Sequence, residues 1–387
     1  MPRATPFSRR GQSLYGPLPA IRGAPADARN GRIAQLVEQL TLNQRVLGSS
    51  PSASTIPRTA DGRGSAKAMK WLAWLAAAIV LALATSARAA EPLRHFVYLG
   101  QDELDAALPI LDRPDIAGAE ILYIWRNLEP SEGEYDFSMI EHDLALTEAR
   151  GKALFVEVLD RFFTPAGRHV PQYILDGPEY GGGLARQFDN SQPGRAPVAK
   201  GWIARQWDPE VRARFQALLA ALAERFDGRI AGLVLAETAA TVDRDAPPEG
   251  WDCDAYFAAE SENALFARRA FKRSHVVQYV NFWPCGWANA RPYMSRFFEL
   301  AAANGIGVGG PDIVPDRPGQ MANSYPFIRA YRDRVPLVAM AVQEPTLEYV
   351  NPATGRPFTR REFESFAIDY LGVDAIFWSK DSPWLRP

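Results

Sequence analysis

From His95 to the C-terminus, short apolar runs rich in β-branched and aromatic residues alternate with stretches whose apolar positions recur at helical spacing. Eight such runs can be counted: HFVYLG from His95, AEILYIW from Ala119, KALFVEVL from Lys152, RIAGLVLAE from Arg229, HVVQYVNFW from His275, IGVGGPDIV from Ile306, PLVAMAVQE from Pro336 and VDAIFWS from Val373. Alternating strand and helix patterns predict an α/β fold with a parallel sheet. Eight units predict that the sheet closes into a barrel; a doubly wound open sheet is the alternative, because repeated βα units do not by themselves show closure. The eighth helix is expected to be missing, since the chain stops soon after Trp384.

The intervening helices carry start and stop signals. Asp208 and Pro209 read as an N-cap and first helical position, and Val211, Phe215, Leu218, Leu219, Leu222 and Phe226 form one apolar face before Gly228. Thr359 and Glu362 fit a capping box ahead of Phe363, Phe366 and Leu371, with Gly372 placed to end that helix. The segment Thr164 to Trp207 is too long for an ordinary connection and is expected to form a lid or cleft wall.

The pattern before His95 is different. Met69, Lys70, the apolar run Trp71 to Ala84 and the small-residue stretch Ala87, Arg88, Ala89 make the n-region, h-region and cleavage site of a secretory signal, so 69–89 is expected to direct export to the periplasm or medium. That apolar run is shorter than the ~20 residues needed to span a bilayer, so no stable membrane span is expected after cleavage. Residues 1–68 are polar, basic and rich in Pro, Gly and Ser; they predict a disordered or spurious extension with the true start at Met69. Residues 90–387 then form a single barrel domain.

Composition narrows the chemistry. The chain has 387 residues, a formal net charge of -2 and no long run of like charge, which argues against nucleic acid or acidic membrane surfaces as partners. The four histidines, His95, His142, His169 and His275, are scattered without metal-ligand spacing, so neither a metal nor another cofactor is expected. There is no G-x-S-x-G nucleophile elbow, and Gly181 to Gly183 lack the Lys-Ser/Thr ending of a phosphate loop. Export permits a disulfide, and the two cysteines, Cys253 and Cys285, both follow predicted strand ends on one rim; a bond between them and two free buried thiols both remain open.

In a barrel of this kind chemistry sits where strands end and their following loops begin. The fourth run ends in Ala236-Glu237-Thr238 and the seventh in Gln343-Glu344-Pro345, so each delivers a glutamate to that rim. Two-residue alternation, counted with both glutamates inward, turns Leu233, Leu235, Met340 and Val342 into the barrel core.

Residues Trp125 to Phe137, WRNLEPSEGEYDF, together with the apolar run into Glu237 and Phe377-Trp378-Ser379 at strand eight, resemble the TIM-barrel clan of retaining glycoside hydrolases that includes bacterial β-galactosidases, cellulases and xylanases. The resemblance spans His95 to Trp384. It implies cleavage of β-glycosidic bonds, with Glu237 as acid/base after strand four and Glu344 as nucleophile after strand seven. Two carboxyl groups are needed because one must be protonated to help the leaving oxygen depart while the other attacks the anomeric carbon. Desolvation and a nearby negative charge are therefore expected to raise the pKa of Glu237. The sequence departs from the clan pattern at Ala236, where many members carry Asn, and in the strand-six region, which lacks the usual tyrosine.

Candidate substrate contacts follow from position. Trp125 and Arg126 after strand two, Asp160 at the end of strand three, Asn281 and Trp283 at the end of strand five and Asp312 after strand six could line a cleft, and Trp207 and Trp378 are candidates to stack on sugar rings. The sequence thus predicts an exported glycosidase acting on an oligo- or polysaccharide. A noncatalytic carbohydrate-binding or envelope polysaccharide-assembly protein on the same barrel is the competing expectation.

Overall fold

A computed structural model of the chain describes residues 92–189, 198–243 and 245–386, the side chains of Asp189, Glu344 and Pro345 excepted. The extension 1–68 and the export segment 69–89 lie outside the described residues. Eight strands are arranged in sequence order: β1 (Arg94–Leu99), β2 (Gly118–Ile124), β3 (Ala153–Leu159), β4 (Gly232–Leu235), β5 (His275–Tyr279), β6 (Gly307–Gly310), β7 (Val338–Val342) and β8 (Ala375–Ser379). Each pairs in parallel with the next, and β8 returns to β1, so the sheet is a closed barrel rather than an open one. Among the described residues no helix follows β8.

The lumen is filled by Phe96, Phe155, Val234, Val277, Tyr279, Leu337, Ala339, Ala341, Ala375 and Phe377. Leu233, Leu235, Met340 and Val342 belong instead to the outer layer packed beneath the helices, which corrects the expected register by one residue on both β4 and β7. The physical reason is volume. Three phenylalanine rings, Phe96, Phe155 and Phe377, meet at centroid distances of 5.2–5.3 Å in the lumen, so the facing strands must present small side chains there. Gly232 is such a position: an added Cβ would lie 2.7 Å from the Phe155 ring. The bulkier aliphatic residues then fall on the outer face, and because strand geometry ends at Leu235 and Val342, alternation does not carry through to Glu237 or Glu344.

The helix signals act as read. Asp208 accepts from the Glu210 amide at 3.0 Å, the helix Pro209–Phe226 follows, and its predicted apolar face is buried throughout. Burial of each large aliphatic or aromatic side chain contributes about 1.5–3 kcal/mol. Thr359 and Glu362 form both halves of a capping box for the helix Arg360–Ser365, which continues as a π-helical turn, Phe366–Leu371, and stops at Gly372 with φ of 70°. The long segment after β3 holds a three-stranded antiparallel sheet, with Val198–Ala204 between Arg161–Phe162 and Leu184–Asp189.

The WRNLEPSEGEYDF segment folds as a brace. Glu129, fully buried, accepts from Trp125 Nε1 at 2.8 Å and from the Gly133 amide at 3.0 Å, and it is ion-paired with Arg214 on the helix Pro209–Phe226. Gly133 sits at φ of 72°, a left-handed turn that a side chain would disfavour.

Candidate active site

Glu237 lies two residues past β4, and three consecutive main-chain carbonyls around it are held from three directions. Gln278 Nε2 donates to the Ala236 carbonyl at 2.6 Å, Arg161 Nη1 to that of Glu237 at 3.1 Å, and the Tyr256 hydroxyl to that of Thr238 at 3.1 Å. The Thr238 amide adds a bond to the Tyr279 carbonyl at 3.1 Å. The segment is therefore fixed without strand pairing of its own. Arg161 can serve as a clamp because it is itself buried between carboxylates: it grips both oxygens of Asp160 at 2.6 and 3.1 Å and donates to Glu260 at 2.7 Å and the Tyr256 hydroxyl at 2.6 Å.

The partly buried carboxyl of Glu237 accepts from Asn281 Nδ2 at 2.7 Å. Burial pushes the Glu237 carboxyl up to about 7, reinforced by the charge of Asp312 and opposed by the Asn281 hydrogen bond and the Arg161 charge. The direction agrees with the sequence expectation, and the neighbouring charge that raises it is that of Asp312. Asp312, nearly buried, accepts from Thr346 Oγ1 at 2.9 Å, and its main-chain carbonyl takes the Tyr325 hydroxyl at 2.7 Å. Burial holds the Asp312 carboxyl above its usual range.

Beneath this mouth the lumen contains two more carboxyls. Glu157 faces inward on β3, level with Val234 of β4, and its Oε2 has no hydrogen-bond partner. Burial pushes Glu157 up to about 8, helped by the Glu237 charge and opposed by a hydrogen bond from Tyr98. Glu120 on β2 is fully buried, with the Tyr279 hydroxyl 2.8 Å from both of its oxygens; burial and then the Glu157 charge hold it well above the ordinary carboxylate range. Tyr98 also receives Gln343 Nε2 at 3.2 Å, which links the lumen to the residue before Glu344. Glu344 itself opens the short helix Glu344–Leu347 at the end of β7, and its side chain lies outside the described residues.

The other candidates separate clearly. Asn281 and Asp312 meet Glu237 at the mouth. Trp125, Trp283 and Trp378 are at most 1 % exposed and belong to the outer hydrophobic layer, so none offers a face to a sugar. Trp378 donates to His95 Nδ1 at 3.0 Å and packs edge-on against Trp384 at 5.0 Å. Trp207, also nearly buried, donates to the Glu249 carbonyl and lies 4.6 Å from the Trp251 ring. These four stacking or contact assignments are corrected: the side chains face away from the lumen, into the layer that helices and loops cover. Asp160 is corrected as well, since both its oxygens serve Arg161 and one also takes Gln206 Nε2 at 2.8 Å. Arg126 donates to the Val170 carbonyl and to Gln172, anchoring the segment after β3.

Cys253 and Cys285 form a disulfide with a Cα separation of 6.2 Å. Sequence reasoning passed over Tyr98, Gln343, Thr346 and Trp287. The signal for the first two was the small-residue alternation Ala339, Ala341 on β7, which makes Gln343 the next inward position and brings it to Tyr98.

Fold and rim together define the class: a (β/α)8, or TIM, barrel with an acidic cluster at the end where such barrels hold their chemistry. No family model matches the chain, and the search of curated proteins returned no match. Among solved structures it is similar to the catalytic domain of a β-amylase from Paenibacillus polymyxa, at 8% identity over 74% of this chain and 92% of that one, with a TM-score of 0.48. It is also similar to endo-glycoceramidase II from Rhodococcus sp., at 14% identity over 75% and 73% of the two chains and a TM-score of 0.44. A thermostable mutant of a xylanase from Cellvibrio japonicus matches at 12% identity over 75% and 87%, with a TM-score of 0.45.

Proposed function

We propose that the protein is an exported glycoside hydrolase that cleaves β-glycosidic bonds with retention of configuration, with Glu237 as acid/base and Glu344 as nucleophile. The observation that carries this reading is Glu237 itself, a rim carboxyl pushed up to about 7 and held by Asn281. A group titrating near neutral pH is protonated often enough to donate to a leaving glycosidic oxygen and basic enough, once ionised, to activate water. The main chain of Glu344 lies at the end of β7, at the same end of the barrel as Glu237, which supports it as the second acid. In a retaining cycle the two carboxyls stand about 5–5.5 Å apart; Glu344 attacks the anomeric carbon as Glu237 protonates the departing oxygen, and Glu237 then takes a proton from the water that releases the sugar. The signal-like pattern of 69–89 supports export.

The test is a panel of β-linked oligosaccharides assayed by proton NMR, which reads the anomeric configuration of the first product formed. The expected result is retained configuration, with Glu237→Gln and Glu344→Gln each lowering kcat by about 10²–10⁴-fold while binding survives. Binding by the unaltered protein without turnover on any member would favour a carbohydrate-binding role, and inverted product would remove Glu344 as nucleophile.

A further inference from the structure

We infer that Trp287 is the stacking platform of a distal sugar subsite, one that takes the apolar face of a single pyranose ring outside the ring whose bond is cleaved. The inference rests on the glycosidase reading and names part of its substrate site. Trp287 stands 53 % exposed on the loop after β5, whereas Trp125, Trp283 and Trp378 are buried. An isolated exposed aromatic in a relaxed loop would need no explanation. This loop is not relaxed. Cys285, Ala288 and Asn289 have φ of 59°, 51° and 57°, so three non-glycine residues within five positions occupy the left-handed region. Such conformations are costly and persist only where the surroundings over-determine them.

The surroundings do so here. The Cys253–Cys285 disulfide ties the loop to the start of the helix Cys253–Ala270. The Ala288 amide donates to Asn323 Oδ1 at 2.8 Å, and Asn323 is buried and donates in turn to the Gly319 carbonyl at 2.8 Å. Within the turn, the Asn289 amide bonds the Gly286 carbonyl at 2.9 Å and the Ala290 amide bonds that of Trp287 at 3.0 Å. A covalent link, a buried amide and local strain thus cooperate to hold a large ring out in water. The restraints reach into the core at Cys253 and Asn323, yet the ring they carry stands outside it. On one side the indole has the Phe282 ring at 6.1 Å; on another it faces Gly319, which has no side chain to cover it.

The placement ties it to the catalytic rim. Phe282 follows Asn281, the donor to Glu237, and its carbonyl receives Thr238 Oγ1 at 3.0 Å. Trp287 therefore stands on the loop that also carries Asn281 and Phe282, and its ring neighbours Phe282 rather than Glu237, which sets its ligand apart from the scissile bond. An aromatic face is negative at its centre and suits the polarised C–H groups that line one side of a pyranose ring. Rigid presentation means that little side-chain freedom is lost on binding.

The experiment compares the unaltered protein with Trp287→Ala and Trp287→Phe, using cello-, xylo- and β-1,3-gluco-oligosaccharides of two to six units in calorimetry and in hydrolysis assays, with circular dichroism to confirm folding. The expected result is that Trp287→Ala raises Kd and KM about tenfold for the longer oligosaccharides, as expected for losing ~60 Å² of buried apolar contact. Disaccharide binding and kcat stay as they were, and Trp287→Phe retains most of the affinity. Turnover that depends on chain length yet is unchanged in Trp287→Ala would overturn the subsite and leave the glycosidase reading intact. Binding that depends on Trp287 without turnover would overturn only the glycosidase reading. Failure of every oligosaccharide to bind the unaltered protein would also overturn the subsite.

Discussion

At Glu237 the main chain aims a side chain that strand alternation would have sent elsewhere. Three carbonyl clamps, from Gln278, Arg161 and Tyr256, hold the segment after β4, and Asn281 then donates to the carboxyl. Two neighbours pull its pKa in opposite directions, which makes their roles separable. Asp312→Asn removes a charge that opposes ionisation, so the alkaline limb of activity is expected to move to lower pH; Asn281→Ala removes a donor that favours the ionised form, so the limb is expected to move to higher pH. Steady-state kcat/KM against pH for both variants checks the pair, and equal shifts in one direction would contradict it. The sequence places Glu237, Asn281 and Asp312 near one rim because the end of an apolar run is visible. It does not disclose which way they point, because that depends on partners such as Arg161, 76 residues away. Nor does composition separate a buried tryptophan such as Trp378 from a displayed one such as Trp287.

At the scale of elements, the eight strands and the capped helices were legible from periodicity and from side chains that act within one turn. Register was not, because it is set by how much volume the lumen leaves beside Phe96, Phe155 and Phe377, a property of several strands at once. The strip joining Arg161–Phe162 at the end of β3 to the helix Cys253–Ala270 is the element-level joint that supports the site. Arg161→Leu leaves Asp160 and Glu260 buried without their cation, and is expected to destabilise the fold by about 3–5 kcal/mol. Urea denaturation measures this; a loss below about 1 kcal/mol would show that the carboxylates are solvated or neutral without the arginine. The most recognisable motif, Trp125 to Phe137, turns out to be a brace linking β2 to the helix Pro209–Phe226.

Across the whole molecule, the barrel carries a cluster of buried and partly buried carboxyls, Glu120, Glu157, Glu237 and Asp312, all shifted upward chiefly by burial. In the unfolded chain these groups lose their protons at the ordinary carboxylate range, whereas the native state keeps them to higher pH. Between about pH 4 and pH 8 the native state therefore binds more protons, and stability falls as pH rises through that window. Asp115, lowered to about 2 by hydrogen bonds from Arg113 and Arg360, works in the opposite sense only below that window; His95 and His169, whose pKa burial lowers, oppose the trend within it and are outnumbered by the four carboxyls. Thermal unfolding should show a higher Tm at pH 5 than at pH 8, with a smaller difference in Glu157→Gln; a higher Tm at pH 8 would contradict it. The most direct test of the central claim is the pH dependence of kcat/KM for hydrolysis of a β-linked oligosaccharide. The account predicts one alkaline limb centred near pH 7 that disappears, along with most of the rate, in Glu237→Gln. Full activity in that variant, or a limb that persists unchanged, would contradict it.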